Sequence, residues 1–242
     1  MVKKIYVLKV GTTFPAVEAQ FGDFDDWTAA ALGSGTAVGL VDVEGGDDLP
    51  PVAHCAAVVI TGSHAMVTDN LPWSVALEAW LRAALETDLP ILGVCYGHQL
   101  LGRAAGGEVG DHPKGKEIGT VDLTLLPEAE SDPLFENLPK TFPVHTTHRQ
   151  SVLRLPEGAT RLASNAYEPN HAYRLREMAY GVQFHPEYNV DIMRAYIEGQ
   201  REELEKAGKD VAALLAEVRD TPVAAQLIRH FAAMVSLREG GD

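Results

Sequence analysis

The chain has 242 residues, of which 46% are hydrophobic, and a formal net charge of -14; that is enough apolar material for a sizeable core. So acidic a surface repels phosphate backbones and anionic lipid, which argues against nucleic acid or a membrane surface as partner. Two cysteines provide no disulfide framework and fit a reducing cytoplasm, no apolar run approaches the roughly 20 residues of a membrane span, and the run after Met1 is too short for a signal peptide.

Lys4 to Val10 reads as a buried strand ending in the turn Gly11-Thr12-Thr13-Phe14-Pro15. Further on, an Asp ahead of Trp27 and the run Ala29 to Leu32 caps a helix. Asp23, Asp25 and Asp26 could hold a metal or a cationic group, but capping and solvation explain them more simply. Ala37 to Val43 is a second strand. Ala56 to Ile60 is a third, running into Thr61-Gly62-Ser63-His64. Cys55 at its start reads as structural and His64 as unassigned polar surface. Pro72 to Glu86 places Val75, Leu77, Trp80, Leu81 and Leu85 close to a helical stripe, which makes it a crossover helix leading to the next strand, Ile91 to Val94.

Cys95 follows that strand directly, and Gly97 to Ala105 reads as a helix with Leu100, Leu101 and Ala104 on its apolar face. Gly93 and Gly97 flank Cys95 at two-residue spacing, the pattern of a nucleophile elbow with Cys in place of Ser. Such a turn is tight and strained at its apex, so its neighbours must lack bulk. A thiol there stands at a helix N-terminus, where free N–H groups and the helix dipole favour the thiolate. The competing reading is a buried core cysteine.

From Gly106 onward the pattern changes to short strands with frequent turns. Ile118 to Leu126 alternates as a half-exposed strand, and Thr141 to Thr147, Arg161 to Ser164, Ala172 to Leu175 and Met178 to Phe184 complete a largely antiparallel or mixed portion of the same sheet. Val144 to Val152 reads as a loop. His145 and His148 within it suggest metal by their spacing, but a site needs three or four ligands and no others are evident, so no metal is predicted. After Glu187 the chain reads as helical, with Asp191 to Lys206, Val211 to Val218 and Val223 to Leu237 forming a C-terminal portion over 189–238. The charged stretch Gln200 to Lys209 is a solvated face and 240–242 a frayed end. Residues 1–242 read as one α/β domain.

A second motif decides what Cys95 does. In Gly181-Val182-Gln183-Phe184-His185-Pro186-Glu187 a strand ends in a His that can serve as base, with a carboxylate two residues on that can orient it. A thiol nucleophile needs both. His98 also lies beside Cys95, but on a helix starting there it points away from the attack site.

Gly93-Val94-Cys95-Tyr96-Gly97-His98-Gln99 together with Gly181 to Glu187 resembles the class I, triad-type glutamine amidotransferases, nearest to the glutaminase domain of GMP synthetase. The resemblance runs from Thr61-Gly62-Ser63 to Glu187. It implies a flavodoxin-like three-layer sandwich whose mainly parallel central sheet is extended by an antiparallel portion. It also implies a Cys95–His185–Glu187 triad, an oxyanion hole from the N–H groups of Gly62 and Tyr96, and substrate contacts from Gln99 and from His148-Arg149-Gln150. At that last place the GMP synthetase domains more usually show His-Gly-Asp, so a large Arg149 stands where a small residue is expected. Glutamine or a γ-glutamyl compound is then the substrate, and no metal or organic cofactor is needed. Members of the family pass ammonia to a synthetase; here Gly102 to Gly107 lacks the spacing and the Lys of a phosphate-binding loop. The chain is therefore expected to serve a separate synthetase partner or to act alone as a γ-glutamyl hydrolase. A third reading, a binding module that has lost activity, is opposed by the intact Cys, His and Glu.

Overall fold

The computed structural model describes residues 3–239, so Met1, Val2 and the frayed end expected at 240–242 lie outside the described residues. The first half alternates strands and helices: β1 (Lys4–Lys9), α1 (Pro15–Phe21), α2 (Phe24–Leu32), β2 (Val38–Asp42), β3 (Cys55–Ile60), α3 (Pro72–Leu85), β4 (Ile91–Val94) and α4 (Tyr96–Ala104). The second half begins with seven strands: β5 (Glu108–Asp111), β6 (Glu117–Leu125), β7 (Thr141–His148), β8 (Gln150–Arg154), β9 (Thr160–Ser164), β10 (Ala172–Leu175) and β11 (Ala179–Val182). Helices α5 (Val190–Gly199), α6 (Arg201–Lys206), α7 (Val211–Glu217) and α8 (Leu227–Glu239) close the chain.

Nine strands form one sheet in the order β2-β1-β3-β4-β11-β10-β9-β6-β7. From β2 to β11 every pairing is parallel, and from β11 onward every pairing is antiparallel. The expected mainly parallel sheet with an antiparallel extension is therefore present. The sequence of β3 and β4, CAAVVI and ILGV, is apolar at every position because both faces are covered, and every residue of both strands is buried. Val58, Ile60 and Ile91 look toward α3 and α4. Ala57, Val59 and Leu92 look toward α8. These are the three layers. A third cluster, built from α1, α5, α6 and α7 around Tyr188, Met193 and Tyr196, closes the end of the sheet where the functional residues gather.

The acidic trio before Trp27 has the capping role expected of it. Asp23 accepts from the N–H of Phe24, Asp26 reaches back to the N–H of Asp23, and the cation facing Asp23 and Asp25 is Lys9, at 2.8 and 3.4 Å. Two expectations need correction, and one helix was not anticipated. The strand expected over 141–147 is β7, which runs to His148, but the rest of the stretch expected as a loop is strand too: β8 starts at Gln150 and pairs with β5 in a separate two-stranded sheet rather than extending the large one. Buried polar side chains conceal these strands, since Thr146, His148, Gln150 and Ser151 all face inward. The helix expected over 191–206 breaks at Gln200, whose side-chain amide donates to Tyr196 O while its carbonyl accepts from Lys116. Finally α1, which buries only Val17, has too little apolar periodicity to be read in advance.

Candidate active site

Cys95 sits between β4 and α4 with φ 50° and ψ -97°, a left-handed backbone that costs a non-glycine residue about 1–3 kcal/mol and persists only where its surroundings impose it. The flanking glycines supply the imposition. A Cβ on Gly93 would lie 2.5 Å from the Gly97 carbonyl, and one on Gly97 would lie 2.6 Å from Ile60 O. The helix opens at Tyr96, one residue before the sequence suggested, and Cys95 N donates to Val182 O at 2.8 Å, tying the turn to β11. The Cys95 side chain is nearly buried and its S–H points to Thr147 O at 3.7 Å.

β11 is the parallel neighbour of β4, with Gly93 opposite Gly181 and Val94 opposite Val182. Three residues past its end stands His185, whose N–H donates to His145 O at 2.8 Å. Its Nδ1–H donates to Glu187 Oε1 at 2.7 Å, and its ring stacks on Tyr188 with centroids 4.1 Å apart. Among the described residues its Nε2 has no hydrogen-bond partner. Burial by itself would lower the imidazole's pKa; the Glu187 carboxylate and the neighbouring Cys95 sulfur outweigh it and push His185 up to about 10. An imidazolium is the partner that stabilises a thiolate. Cys95, His185 and Glu187 thus meet at one place.

Tyr96 is the first residue of α4, so its N–H has no acceptor within the helix. Gly62 follows β3, and a Cβ on it would lie 3.0 Å from His185 Cε1 and 3.3 Å from Phe24 Cε1. Only a glycine lets the backbone approach the imidazole so closely. Tyr96 adjoins Cys95 in the chain, and Gly62 adjoins the His185 ring.

A cavity of about 410 Å³ opens beside Cys95 and His185, and Gln99, His148, Arg149 and Gln150 all line it. Their side chains are engaged differently from one another. Gln99 Nε2 donates to Gln150 O at 2.8 Å and to Gln183 Oε1 at 3.0 Å. His148 turns both ring nitrogens inward, Nδ1 to Gln150 O at 3.0 Å and Nε2 to Glu117 Oε2 at 2.9 Å. Arg149 is exposed at the rim and pairs with Asp111 at 2.9 Å. Gln150 bridges Thr68 Oγ1 at 2.7 Å and Asp111 Oδ1 at 3.1 Å. His64 is part of the cavity wall and packs on Phe14 with centroids 4.2 Å apart.

The other candidates lie apart from this centre. His98 is fully buried against Tyr173, and burial drives its pKa down to about 3. His145 is not a chelating partner of His148: its Nδ1 faces Thr120 Oγ1 at 3.1 Å, and burial lowers it to about 4. Cys55 is buried, its thiol raised to about 11 by desolvation. Glu117, His171 and the cavity residues Phe14, Lys116, Tyr188 and Tyr196 were not singled out in the sequence. Phe14, which closes the turn after the first strand, carried the one available signal, because ligands gather outside the carboxyl ends of parallel strands.

The family model for glutamine amidotransferase class-I matches residues 48–198, more than half of the chain. The chain belongs to the class I glutamine amidotransferase family. Among similar curated proteins, GMP synthase [glutamine-hydrolyzing] of Christiangramia forsetii is 39% identical over 132 residues, covering 53% of this chain and 25% of the relative. Gamma-glutamyl peptidase 4 of Arabidopsis thaliana is 32% identical over 137 residues, covering 56% and 55%. The matches thus span between a quarter and somewhat over half of these relatives' own lengths. A solved glutamine amidotransferase from Thermotoga maritima superposes with a TM-score of 0.76 at 23% identity, covering 97% of this chain and 99% of that one. A glutamine amidotransferase from Methylobacillus flagellatus superposes at 0.75 with 26% identity, covering 100% and 96%.

Proposed function

We propose that the chain cleaves the γ-amide of glutamine through a Cys95–His185–Glu187 triad and delivers the ammonia to a separate synthetase in the cytoplasm. The observation that carries this reading is a strained cysteine beside an imidazole whose Nδ1 is held by a carboxylate at 2.7 Å. In the proposed reaction the Cys95 thiolate attacks the γ-carbonyl carbon. The resulting oxyanion is held by the N–H groups of Gly62 and Tyr96, and His185 gives its proton to the departing ammonia, leaving a glutamyl thioester. Water, deprotonated by the now neutral His185, then cleaves the thioester to glutamate, and the proton returns to the imidazole. Glu187 keeps His185 in the required tautomer throughout. Gln99 Oε1 is assigned to the substrate, and Arg149 and Gln150 to its outer end, with His148 holding the turn between them. Similarity to a GMP synthase supports a synthetase partner. Among the described residues no helix is long and apolar enough to cross a membrane.

A second reading is hydrolysis of a γ-glutamyl conjugate without a synthetase. It is favoured by the 410 Å³ cavity, which falls within the roughly 300–1,000 Å³ range of sites for drug-sized ligands, and by likeness to a γ-glutamyl peptidase. Wild-type and Cys95→Ala chains assayed on glutamine and on γ-glutamyl amides, beside affinity capture of a synthetase, test both readings. A wild-type rate in Cys95→Ala would refute the nucleophile. Faster cleavage of the substituted amides with no captured synthetase would select the second reading.

A further inference from the structure

Glu117 on β6, His148 at the end of β7 and His171 just before β10 meet behind the wall of the cavity. All three are buried, and their ligand atoms lie within 4.8 Å of one another. Two nitrogens converge on a single oxygen: His148 Nε2 lies 2.9 Å and His171 Nε2 3.1 Å from Glu117 Oε2. Bonds of about 2.0–2.2 Å to a tetrahedral ion set neighbouring ligand atoms about 3.3 Å apart. The two nitrogen–oxygen separations are a few tenths of an ångström short of that value.

Two features of the imidazoles need an explanation. The His148 Nδ1 faces Gln150 O, which can only accept, so that nitrogen carries a proton. Its Nε2 then meets the carboxylate either with a second proton or with a lone pair directed at a cation. A ring N–H fixed on a backbone carbonyl while the other nitrogen faces inward is the arrangement found around metal-bound histidines. His171 is fully buried; its Nε2 lies 3.1 Å from the same carboxylate oxygen, out of line for a good hydrogen bond, and its Nδ1 has no partner among the described residues. Leaving a polar group so buried and unpaired costs about 1–3 kcal/mol. A cation taking the Nε2 lone pair would give that nitrogen a well-aligned partner. Asn165 Nδ2 donates to Glu117 Oε1 at 2.8 Å and orients the carboxylate so that Oε2 is the oxygen presented.

We infer that Glu117 Oε2, His148 Nε2 and His171 Nε2 form a site for one divalent transition ion of the zinc type, with a fourth position left for water. The mixed imidazole and carboxylate donor set suits zinc. His148 belongs to the cavity wall, which is the side from which an ion reaches the site. The site is a positioning one: the ion fixes His148, His148 fixes Gln150 O, and Gln150 O holds the Gln99 amide at 2.8 Å. None of this depends on the proposed reaction.

The test uses the full chain without a polyhistidine tag and with Cys55→Ser and Cys95→Ser, so that no thiol can bind zinc. After chelator treatment it is titrated with Zn²⁺ by calorimetry and with Co²⁺ by visible absorption. One ion per chain is expected, with a rise in Tm. His171→Ala and Glu117→Gln should each weaken binding at least tenfold and remove the rise. His112→Ala, whose ring lies near His148 but outside the cluster, should keep both. The isosteric Glu117→Gln carries the test if His171→Ala does not fold. Absence of stoichiometric binding by the folded chain, or undiminished binding in folded Glu117→Gln, overturns the proposal.

Discussion

Replacing Gly62 with Ala tests how closely the site is fitted, because it adds one carbon and keeps the backbone N–H. The new Cβ would lie 3.0 Å from His185 Cε1 and 3.3 Å from Phe24 Cε1, against an optimal carbon–carbon separation of about 3.5–4.0 Å. His185 must therefore retreat by roughly half an ångström. It has little room to do so, being held by Glu187 at 2.7 Å and stacked on Tyr188 at 4.1 Å. Overpacking of this kind costs about 1–3 kcal/mol, and at about 2–4 °C per kcal/mol for a chain of this size the Tm falls by roughly 2–12 °C. Misplacement by 1 Å costs a reaction about 100-fold, so half of that predicts a loss of about tenfold in kcat, with KM for glutamine little changed. A coupled ammonia assay on glutamine and a thermal melt followed by circular dichroism measure both quantities. A Gly62→Ala chain with wild-type kcat and Tm would refute the claim that the third strand's end and the imidazole are in mutual contact.

Charge linkage gives two further expectations. His185 is raised from its ordinary 6.5 to about 10, so its contribution to stability is complete below pH 6.5 and is lost as pH climbs toward 10; Glu187→Gln should flatten that alkaline decline in Tm and lower kcat by about 10- to 100-fold. His98 and His145, depressed to about 3 and about 4, stabilise the fold in their neutral forms. Stability should thus fall as pH drops below 6.5, by up to about 1.4 kcal/mol per pH unit for each histidine. Urea midpoints measured from pH 7 to pH 4.5 in wild type and His98→Gln check this, and identical slopes in the two chains would contradict it.

The grouping of Cys95, His185 and Glu187 was legible because its information is local. Gly93 and Gly97 announce a close crossing whatever the rest of the chain does, and the Cβ clashes at both positions show why no other residue fits. A His two residues ahead of a Glu after an apolar strand is equally short-range, as is the fully apolar composition of β3 and β4. The stretch from His148 to Val152 reads as loop for the opposite reason. Strands are recognised by apolar alternation, whereas the end of β7 and the start of β8 bury His148, Gln150 and Ser151, whose side chains meet Glu117, Thr68, Asp111 and Glu168 brought from elsewhere in the chain. The cluster of Glu117, His148 and His171 has no spacing signature at all, since three separate elements assemble it. Gln200 likewise breaks a helix through a tertiary contact with Lys116 that no helical period records.

Because β4 and β11 are direct neighbours although the chain between them builds most of the other strands, the sulfur remains unpaired through most of synthesis. A slip of one rung between the two would displace the imidazole by about 3.3 Å along the sheet. The Cys95–His185 pair is thus created by the same ladder that closes the parallel half, and a nascent or misaligned chain lacks it. Recovery of thiol reactivity during refolding would consequently time the arrival of that late strand.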